Sequence, residues 1–202
     1  MLKYVGIFLL ILLGCADKID KFVIMNSKRT YSELSDQYNS SIGSGYIDTE
    51  GIFNGKLSFS FQSQRDSTFF QFSDMLGRKT LLMWISPKSI IIRDLFNNKY
   101  YKNGQVINLF PFLEILDTRD VTEFVWGVEP NVKQKIKRMN KNSDDDISLD
   151  FSYKKLKNGE YSLTSFEYVD NNLKNTLNVD IKKRQRVTNF KNIRKFWRML
   201  EY

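Results

Sequence analysis

The sequence predicts a mainly β protein, with antiparallel strands at its core and a helical segment that covers them. Apolar runs such as residues 81–85 and 90–92 are consecutive rather than alternating, so both faces of these strands need to leave water. The turns between the runs are short, as in antiparallel hairpins. A helical pattern separates these strands from a second group. The strands therefore enclose either a filled core or an apolar cavity.

The composition is that of a globular protein with a basic surface. The 202 residues allow one domain, and 42% hydrophobic content with 16 phenylalanines supplies a sizeable core. The formal net charge is +8, and the chain contains no histidine. The commonest general base and transition-metal ligand is therefore missing, which argues against many enzyme classes.

The first residues have the pattern of an export signal. Lys3 precedes an apolar run at residues 4–13, which is too short to span a bilayer as a helix. The sequence Leu-Leu-Gly-Cys at residues 12–15 resembles the lipobox of bacterial lipoproteins. That resemblance implies a signal peptide at residues 1–14, lipidation of Cys15, a tether over residues 15–29 and one domain over residues 30–202. Ala16 after the cysteine favours the outer membrane, and the alternative is a plain secretory signal.

The first group of elements begins with a predicted helix at residues 30–43. Thr30 is placed to cap this helix with Glu33, and Gly43 and Gly45 are expected to end it. Strands are then expected at residues 45–53, 56–64 and 68–73 and through the apolar stretch to residue 101. The Asn-Gly pair at residues 54–55 predicts the first hairpin turn.

The second group begins where the apolar spacing changes to that of helices, over residues 106–127. Thr118 or Asp120 is expected to cap a helix that ends at Gly127, and residues 130–140 form a third helical turn or a basic loop. Strands are predicted again at residues 147–157, 161–169 and 175–187, with Arg184 and Arg186 facing solvent. Residues 189–200 place apolar residues on one helical face and lysines and arginines on the other, which predicts a basic amphipathic helix.

The order of these features resembles the LolA/LolB superfamily of lipoprotein-localisation proteins, over about residues 45–187. Leu76-Gly77 and the apolar residues 80–82 are similar to the family's Pro-Leu-Gly turn and following strand, with Met75 in place of proline. Residues 121–130 resemble its helix with an aromatic residue, a glycine and a proline, and residues 158–168 resemble its next strand. Cys15 favours the LolB-like outer-membrane receptors over the unanchored LolA-like carriers.

The resemblance implies a strongly curved, incomplete antiparallel β-barrel whose helices cover an apolar cavity. It implies a lipid-anchored protein at the periplasmic face of the outer membrane, without a cofactor, which we expect to be a monomer. Its partners would be the acyl chains of other lipoproteins, delivered by a LolA-like periplasmic carrier and then inserted into the membrane. Leu76 occupies the turn that carries the family's membrane-inserting leucine, and the alternative for Leu76 is ordinary packing within the turn.

Apolar side chains of the strands and of the helical lid supply a candidate wall for the acyl chains. The predicted wall is Phe59, Phe61, Phe70, Phe72, Leu82, Trp84, Ile91, Phe112 and Trp126. Transfer of an acyl chain between proteins breaks no covalent bond, and each buried methylene contributes ~0.8 kcal/mol. Because residues 79–92 are apolar on both faces, the pattern does not decide which face points inward.

Other functions are compatible with parts of this pattern. A structural or assembly lipoprotein with a filled barrel would bind a protein partner, and a periplasmic lipid carrier would share the cavity. Nucleic-acid binding fits the positive charge but not the export signal, so we expect none. The acidic residues 144–146 lack the glycine and distal glutamate of a calcium loop, and no nucleophile or phosphate-loop motif is present, so we expect no enzyme.

Overall fold

Nine antiparallel strands form one continuous sheet in the computed structural model, which describes residues 29–51, 54–142, 146–156, 159 and 161–201. The strands are β1 (Ser40–Glu50), β2 (Gly55–Gln64), β3 (Ser67–Ser73), β4 (Lys79–Ser86), β5 (Ser89–Asp94), β6 (Lys99–Lys102), β7 (Ile147–Lys155), β8 (Tyr161–Asp170) and β9 (Asn175–Val187). Their spatial order is β6-β5-β4-β3-β2-β1-β9-β8-β7, so β6 and β7 are the two open edges. The predicted mainly β fold with a curved, incomplete antiparallel sheet is confirmed.

The helices lie before, within and after the series of strands. They are α1 (Tyr31–Gln37), α2 (Gly104–Ile107), a 3-10 turn (Pro111–Glu114), α3 (Thr118–Trp126), α4 (Lys133–Asn142) and α5 (Arg194–Glu201). The predicted helical insert between two groups of strands is confirmed, because α2, the 3-10 turn, α3 and α4 all lie between β6 and β7. The basic segment after Pro130 forms a helix rather than a loop.

The first helix is shorter than predicted, because the first strand begins inside the predicted range. The capping box is present: the Glu33 amide donates to Thr30 Oγ1 at 3.3 Å, and the Thr30 amide donates to Glu33 Oε2 at 2.8 Å. Nevertheless α1 ends at Gln37, and β1 begins at Ser40. The prediction of helix through residue 43 was therefore wrong.

Two glycines of β1, which were expected to end that helix, instead make room for aromatic rings. Gly43 lies opposite Phe61, and Gly45 lies opposite Phe59 in the register with β2. A Cβ on Gly43 would lie 2.5 Å from the Phe61 ring, and one on Gly45 would lie 2.6 Å from the Phe59 ring. The glycines thus let both rings lie across β1, a recognised way of packing glycine within a sheet.

A bulge in β9 turns two arginines toward the interior, so the prediction that they face solvent was wrong. The pairing between β1 and β9 shifts by one residue, and Lys182 has no partner on β1. Because side chains alternate along a strand, one extra residue reverses the faces beyond it. Ile181 lies in the core before the bulge, and Arg184 and Arg186 point to the same side after it.

The sheet has an apolar layer on each side. The inner layer lies between the sheet and the helical insert and contains most of the buried apolar side chains. The outer layer is smaller and joins Phe69, Leu82 and Trp84 of the sheet to Phe196, Trp197 and Leu200 of α5. The ring centroids of Phe69 and Phe196 are 4.4 Å apart, and those of Trp84 and Trp197 are 5.2 Å apart. The tail helix therefore covers the outer face of β3 and β4, which explains why β4 is apolar on both sides.

Candidate functional site: an apolar interior under a latched helix

The interior beneath the helical insert contains six of the nine predicted wall residues. Phe59, Phe61, Phe70, Phe72, Phe112 and Trp126 all belong to the inner layer and are buried. Four of these phenylalanines, all but Phe61, line a cavity of about 30 Å³. Such a volume has room for roughly one or two water molecules. The interior is filled in this conformation, and an acyl chain fits only if part of the wall moves.

The other three predicted wall residues lie on the outer side of the sheet, so their assignment to this wall was wrong. Leu82 and Trp84 pack in the outer layer under α5. Ile91 pairs directly with Trp84, and directly paired residues share a face. Leu82 and Trp84 are apolar because α5 covers this part of the sheet, and the apolar pattern of β4 alone could not separate the two faces.

Several side chains that line the interior were not among the predicted wall residues. They are Ile47, Met83, Ile85, Val121, Phe124, Val125, Phe166 and Val179. The pairing of β3 with β4 places Met83 opposite Phe70, so an inward Phe70 implies an inward Met83. The signal was therefore the hairpin register, which follows from the short turn at residues 74–78.

Helix α3 closes the interior. Its N-cap is Asp117, whose carboxylate accepts from the amides of Arg119 and Asp120, rather than the predicted Thr118 or Asp120 itself. It ends, as predicted, at Gly127, which has the left-handed conformation with φ 86°. The face that it buries carries Val121, Phe124, Val125 and Trp126.

The C-terminal end of α3 is held by Arg184 and Arg186, which we call the arginine latch. Arg184 donates to the carbonyl oxygens of Phe124 and Val125, both at 3.0 Å. Arg186 donates twice to the carbonyl oxygen of Trp126, from Nε at 2.9 Å and from Nη2 at 2.6 Å. The last carbonyls of a helix carry partial negative charge, so the two guanidinium groups stabilise this end of α3.

The two guanidinium groups of the latch lie close to Gly127, and that of Arg184 is largely shielded from solvent. Burial lowers the pKa of Arg184 to about 9, and the neighbouring charge of Arg186 acts in the same direction. Arg184 still carries its charge at neutral pH and also donates to the Leu163 carbonyl at 2.6 Å. A Cβ on Gly127 would lie 2.6 Å from Arg186 Nη2, so a larger residue at this position would have to displace that guanidinium group.

A chain of buried polar side chains attaches α3 to β2 and β3. The indole N–H of Trp126 donates to Ser63 Oγ at 2.9 Å. Thr68 Oγ1 donates to the same Ser63 oxygen at 2.9 Å and lies 3.3 Å from Thr122 Oγ1 on the helix. Because buried hydroxyl and indole groups need partners, this network favours one position of α3 on the sheet.

The N-terminal end of α3 is held by an ion pair with α4. Lys135 Nζ lies 2.7 Å from Asp117 Oδ2 and also contacts the carboxylate of Asp120. Burial opposes ionisation of Asp117, but hydrogen bonds from Lys135 and from the Asp120 amide outweigh it and hold the pKa of Asp117 below its ordinary value. Both ends of the lid helix are thus fixed by charged groups.

An open cleft of about 450 Å³ lies beside the arginine latch, between α1, the end of α3 and strands β7 and β8. Its lining is mixed: Tyr31, Glu123, Tyr161 and Arg186 contribute polar groups, and Leu34 and Val128 contribute apolar ones. Tyr31 packs edge-on against Trp126 at 5.4 Å, and burial, reinforced by the charge of Asp66, raises the pKa of Tyr31 to about 12. The cleft gives solvent access to the point where the lid is fastened.

The turn between β3 and β4 exposes the apolar side chain that the sequence singled out. Leu76 is 80% exposed, and its neighbour Met75 is 85% exposed. Asp74 holds the turn in shape, because its carboxylate accepts from the amides of Leu76 and Arg78, both at 2.9 Å. The Arg78 guanidinium lies 5.5 Å from the ring centroid of Phe96, which is 60% exposed on the turn after β5. Two neighbouring turns therefore present apolar and cationic groups together.

The predicted lipidation site lies outside the described residues. Residues 1–28, which include the predicted signal peptide, Cys15 and most of the tether, are in that part of the chain, as are two of the three acidic residues 144–146. Within the described part of the chain, no helix combines the length and the apolar character needed to cross a bilayer.

Comparison with solved structures shows which fold this is. A domain from Vibrio parahaemolyticus, provisionally described as an outer membrane lipoprotein-sorting protein, matches with a TM-score of 0.52 at 9% identity, over 85% of this chain and 96% of that one. A DUF1329 family protein from Desulfovibrio piger matches with a TM-score of 0.43 at 8% identity, over 84% of this chain and 95% of that one. Neither the family models nor the curated proteins give a match. At 9% identity the first neighbour shows the shared fold, and nothing finer than the fold.

Proposed function

We propose that this protein receives the acyl chains of lipoproteins beneath α3 and delivers them to the outer membrane. The observation that carries the proposal is an apolar, aromatic interior closed by one short helix whose last carbonyls are held by the arginine latch. The similarity of the fold to a domain described as lipoprotein-sorting supports the same function. The proposal requires α3 to move away from the sheet.

The energy of acyl-chain burial is large enough to open the lid. Moving α3 exposes four side chains, Val121, Phe124, Val125 and Trp126, each of which contributes ~1.5–3 kcal/mol when buried, or roughly 6–12 kcal/mol in total. A chain of about sixteen methylenes regains ~13 kcal/mol when it takes their place. The free protein therefore stays closed, and one or more acyl chains hold it open.

The same balance sets the direction of transfer. A chain that leaves water or a loosely binding carrier gains the full burial energy, whereas a chain already in a bilayer gains almost nothing by entering a protein. The protein is thus an acceptor from a carrier and a donor to the membrane. The exposed Leu76, Met75 and Phe96 with Arg78 form a surface suited to the membrane interface, where anionic head groups attract cations. Lipidation at Cys15 would keep this surface close to the bilayer.

A second candidate is an assembly lipoprotein whose filled interior is purely structural and which binds a protein partner. The specific observation in its favour is the 30 Å³ cavity, which leaves no room for an acyl chain in the closed form. Exposed basic residues of α4, Lys133, Lys137 and Arg138, would then belong to a surface for a partner.

A disulfide between α3 and β3 distinguishes the two candidates. Residues 16–202 lack the chain's one cysteine, and the Thr68 and Thr122 oxygens are 3.3 Å apart, so the Thr68→Cys/Thr122→Cys pair is positioned to crosslink the lid to the sheet. Saturable binding of a fluorescent triacylated lipopeptide is expected for the wild-type protein and for the reduced pair. Binding should fall at least tenfold in the oxidised pair and return with reductant.

The controls are the two single cysteine variants and the same peptide without acyl chains, which is expected not to bind. Equal binding by the oxidised and reduced pair would contradict opening of the lid. Absence of binding by a folded wild-type protein would favour the filled assembly protein. Displacement by phospholipid but not by lipoprotein would identify a lipid carrier instead.

A further inference from the structure

Three hairpin turns at one end of the sheet are built alike. They join β3 to β4, β5 to β6 and β8 to β9, and the strand register places all three at the same end. In each turn an aspartate carboxylate accepts the amide of a residue with an exposed apolar side chain, at 2.9 Å: Asp74 from Leu76, Asp94 from Phe96 and Asp170 from Leu173. The three apolar side chains are 80%, 60% and 53% exposed. The turns therefore hold these side chains out in solvent.

The first two of these turns form one continuous surface. The Arg78 guanidinium of the first turn lies 5.5 Å from the ring centroid of Phe96 on the second. The Leu95 amide donates to the Thr80 carbonyl at 2.9 Å, which ties the bases of the two turns together. Met75, which is 85% exposed, extends the apolar part of this surface. We call residues 74–79 and 94–99 together the two-turn corner.

The charged groups that the two-turn corner exposes are basic. Arg78, Lys79 and Lys99 are exposed, whereas Asp74 and Asp94 are half-buried and turn their carboxylates onto backbone amides. Arg78 pairs with Asp74 at 2.7 Å, and Lys79 and Lys99 add further positive charge. The corner thus presents apolar tips with cations beside them.

The third turn has the same construction but different surroundings. Asn171 Nδ2 donates to Asp146 Oδ2 at 2.7 Å, so an exposed carboxylate lies beside the turn that carries Leu173. This carboxylate offsets the charge of Lys174 in the same turn. Leu173 is therefore an exposed leucine on an aspartate-held turn without a basic surrounding, and it serves as a matched control for the corner.

A bilayer surface fits the two-turn corner better than a protein partner does. Specific protein interfaces bury roughly 1,600 Å² and place their anchors in pockets, whereas two hairpin tips offer a few protruding side chains. Phenylalanine and leucine flanked by lysine and arginine are typical of segments that enter the membrane interface, where the cations remain near the head groups. Anionic head groups attract such cations.

We propose that Phe96 is a second membrane anchor, and that the two-turn corner docks on a bilayer with anionic head groups. This inference rests on the proposed function, because that function brings the protein to a membrane. Phe96 and Leu76 would enter the interface, and Lys79 and Lys99 would contact the lipid phosphates. Contact at two turns fixes the orientation of this end of the sheet, which contact at Leu76 alone does not.

The predicted lipid anchor is compatible with this orientation. The Tyr31 hydroxyl donates to the Arg65 carbonyl at 2.6 Å, so α1 begins near the turn between β2 and β3, at the far end of β3 from the corner. A strand of the length of β3 spans roughly 23 Å. Residues 16–29 reach up to about 50 Å when extended, so a chain anchored at Cys15 lets the corner reach the same bilayer.

The test measures co-sedimentation of residues 16–202, which retain every described strand and helix, with phosphatidylcholine vesicles that contain or lack phosphatidylglycerol. Wild type should bind the anionic vesicles at least fivefold more tightly than the neutral ones. Phe96→Ser should bind the anionic vesicles at least fivefold more weakly, and so should Lys79→Gln/Lys99→Gln.

Two matched controls should stay within twofold of wild type. Leu173→Ser removes an exposed leucine from the third turn, and Lys133→Gln/Lys137→Gln removes the same charge from α4. The urea unfolding midpoint of each variant checks that it is folded. Phe96→Ser should also bind the triacylated lipopeptide within twofold of wild type, since Phe96 lies outside the acyl interior.

Three results would overturn the proposal: full vesicle affinity in Phe96→Ser, an equal loss in Leu173→Ser, or no vesicle binding by the folded wild-type chain. The last result would assign the two-turn corner to a protein partner. If lipopeptide binds but vesicles do not, the membrane anchor fails and the proposed function stands. If vesicles bind but lipopeptide does not, the proposed function fails and the anchor stands.

Discussion

Two helices cover apolar patches on opposite faces of the same strands, and they are attached in different ways. On the inner face, the last carbonyls of α3 accept hydrogen bonds from Arg184 and Arg186. On the outer face, α5 rests on the sheet through stacked aromatic rings, and Arg93 Nη1 donates to the Met199 carbonyl at 2.8 Å. The inner attachment is directional and concentrated at the helix ends, whereas the outer one is spread over side chains.

This difference matters for the proposed function, in which α3 opens as a lid and α5 stays in place as a cover. Hydrogen bonds from a guanidinium to a carbonyl are replaced by bonds to water when the helix leaves, so their net contribution is modest. The larger cost of moving α3 is the exposure of its buried apolar side chains to water. In the proposed function, an acyl chain replaces the apolar contacts that the interior loses. In the proposed function, no ligand replaces the contacts that the aromatic rings under α5 would lose if that helix moved. The predictions below test this contrast, beginning with the largest expected effect.

Truncation of a core ring on the lid should destabilise the protein much more than truncation on the cover. Phe124 is buried and lies 4.9 Å from Phe166, so Phe124→Ala should lower the free energy of unfolding by about 3–5 kcal/mol. Phe196 is only partly buried, and Phe196→Ala should cost roughly 1–2 kcal/mol. Urea denaturation of both variants measures the difference. Equal losses would mean that the inner face is not the main core.

Removal of a latch arginine should destabilise the protein and loosen α3 in particular. Arg184→Met removes a charged donor from the carbonyls of Phe124, Val125 and Leu163 and should cost about 2–3 kcal/mol, although the Gly127 amide and the Ser41 hydroxyl still donate to the first two. Arg93→Met, the matched change under α5, should cost about 1 kcal/mol. Hydrogen exchange should show faster exchange in α3 amides for the first variant only. Uniformly faster exchange across the sheet would show that the latch stabilises the whole fold rather than the lid.

A methyl group at the end of α3 should disturb the latch beyond its effect on the backbone. Gly127 and Gly77 both have positive φ, but only at Gly127 would a Cβ meet the guanidinium groups. Gly77→Ala should therefore cost ~1 kcal/mol, which is the backbone term alone. Gly127→Ala should cost roughly 2 kcal/mol by thermal or urea unfolding. If the two changes cost the same, the latch has room to adjust.

Acid should weaken the other end of the lid slightly. The pKa of Asp117 is below its ordinary value in the folded protein, so its ionised form stabilises the fold. That contribution is fully present above the unfolded pKa of about 3.9 and is lost as pH falls through the lower folded value. Lys135 is partly exposed, so the loss should stay below about 1 kcal/mol. Unfolding of Asp117→Asn at pH 3 and pH 6 checks this, since the variant should lack this part of the pH dependence.

Much of the fold was predictable because it depends on neighbours in the chain. The Thr30 capping box, the end of α3 at Gly127 and the alternation of Phe59 and Phe61 along β2 follow from periodicity and from local hydrogen bonds. The helical insert between the two groups of strands was predictable for the same reason. Six of the nine predicted wall residues lie in the inner layer.

Only the tertiary structure decided which side chains of each strand point into the inner layer and which point outward. Leu82 and Trp84 are as apolar as Met83 and Ile85, and it is the position of α5 on the outside that separates the two pairs. Arg184 resembles an exposed strand residue until the extra residue at Lys182 turns it inward. A pattern along one strand shows its period, but the buried face and the register are set by the strands and helices that pack against it.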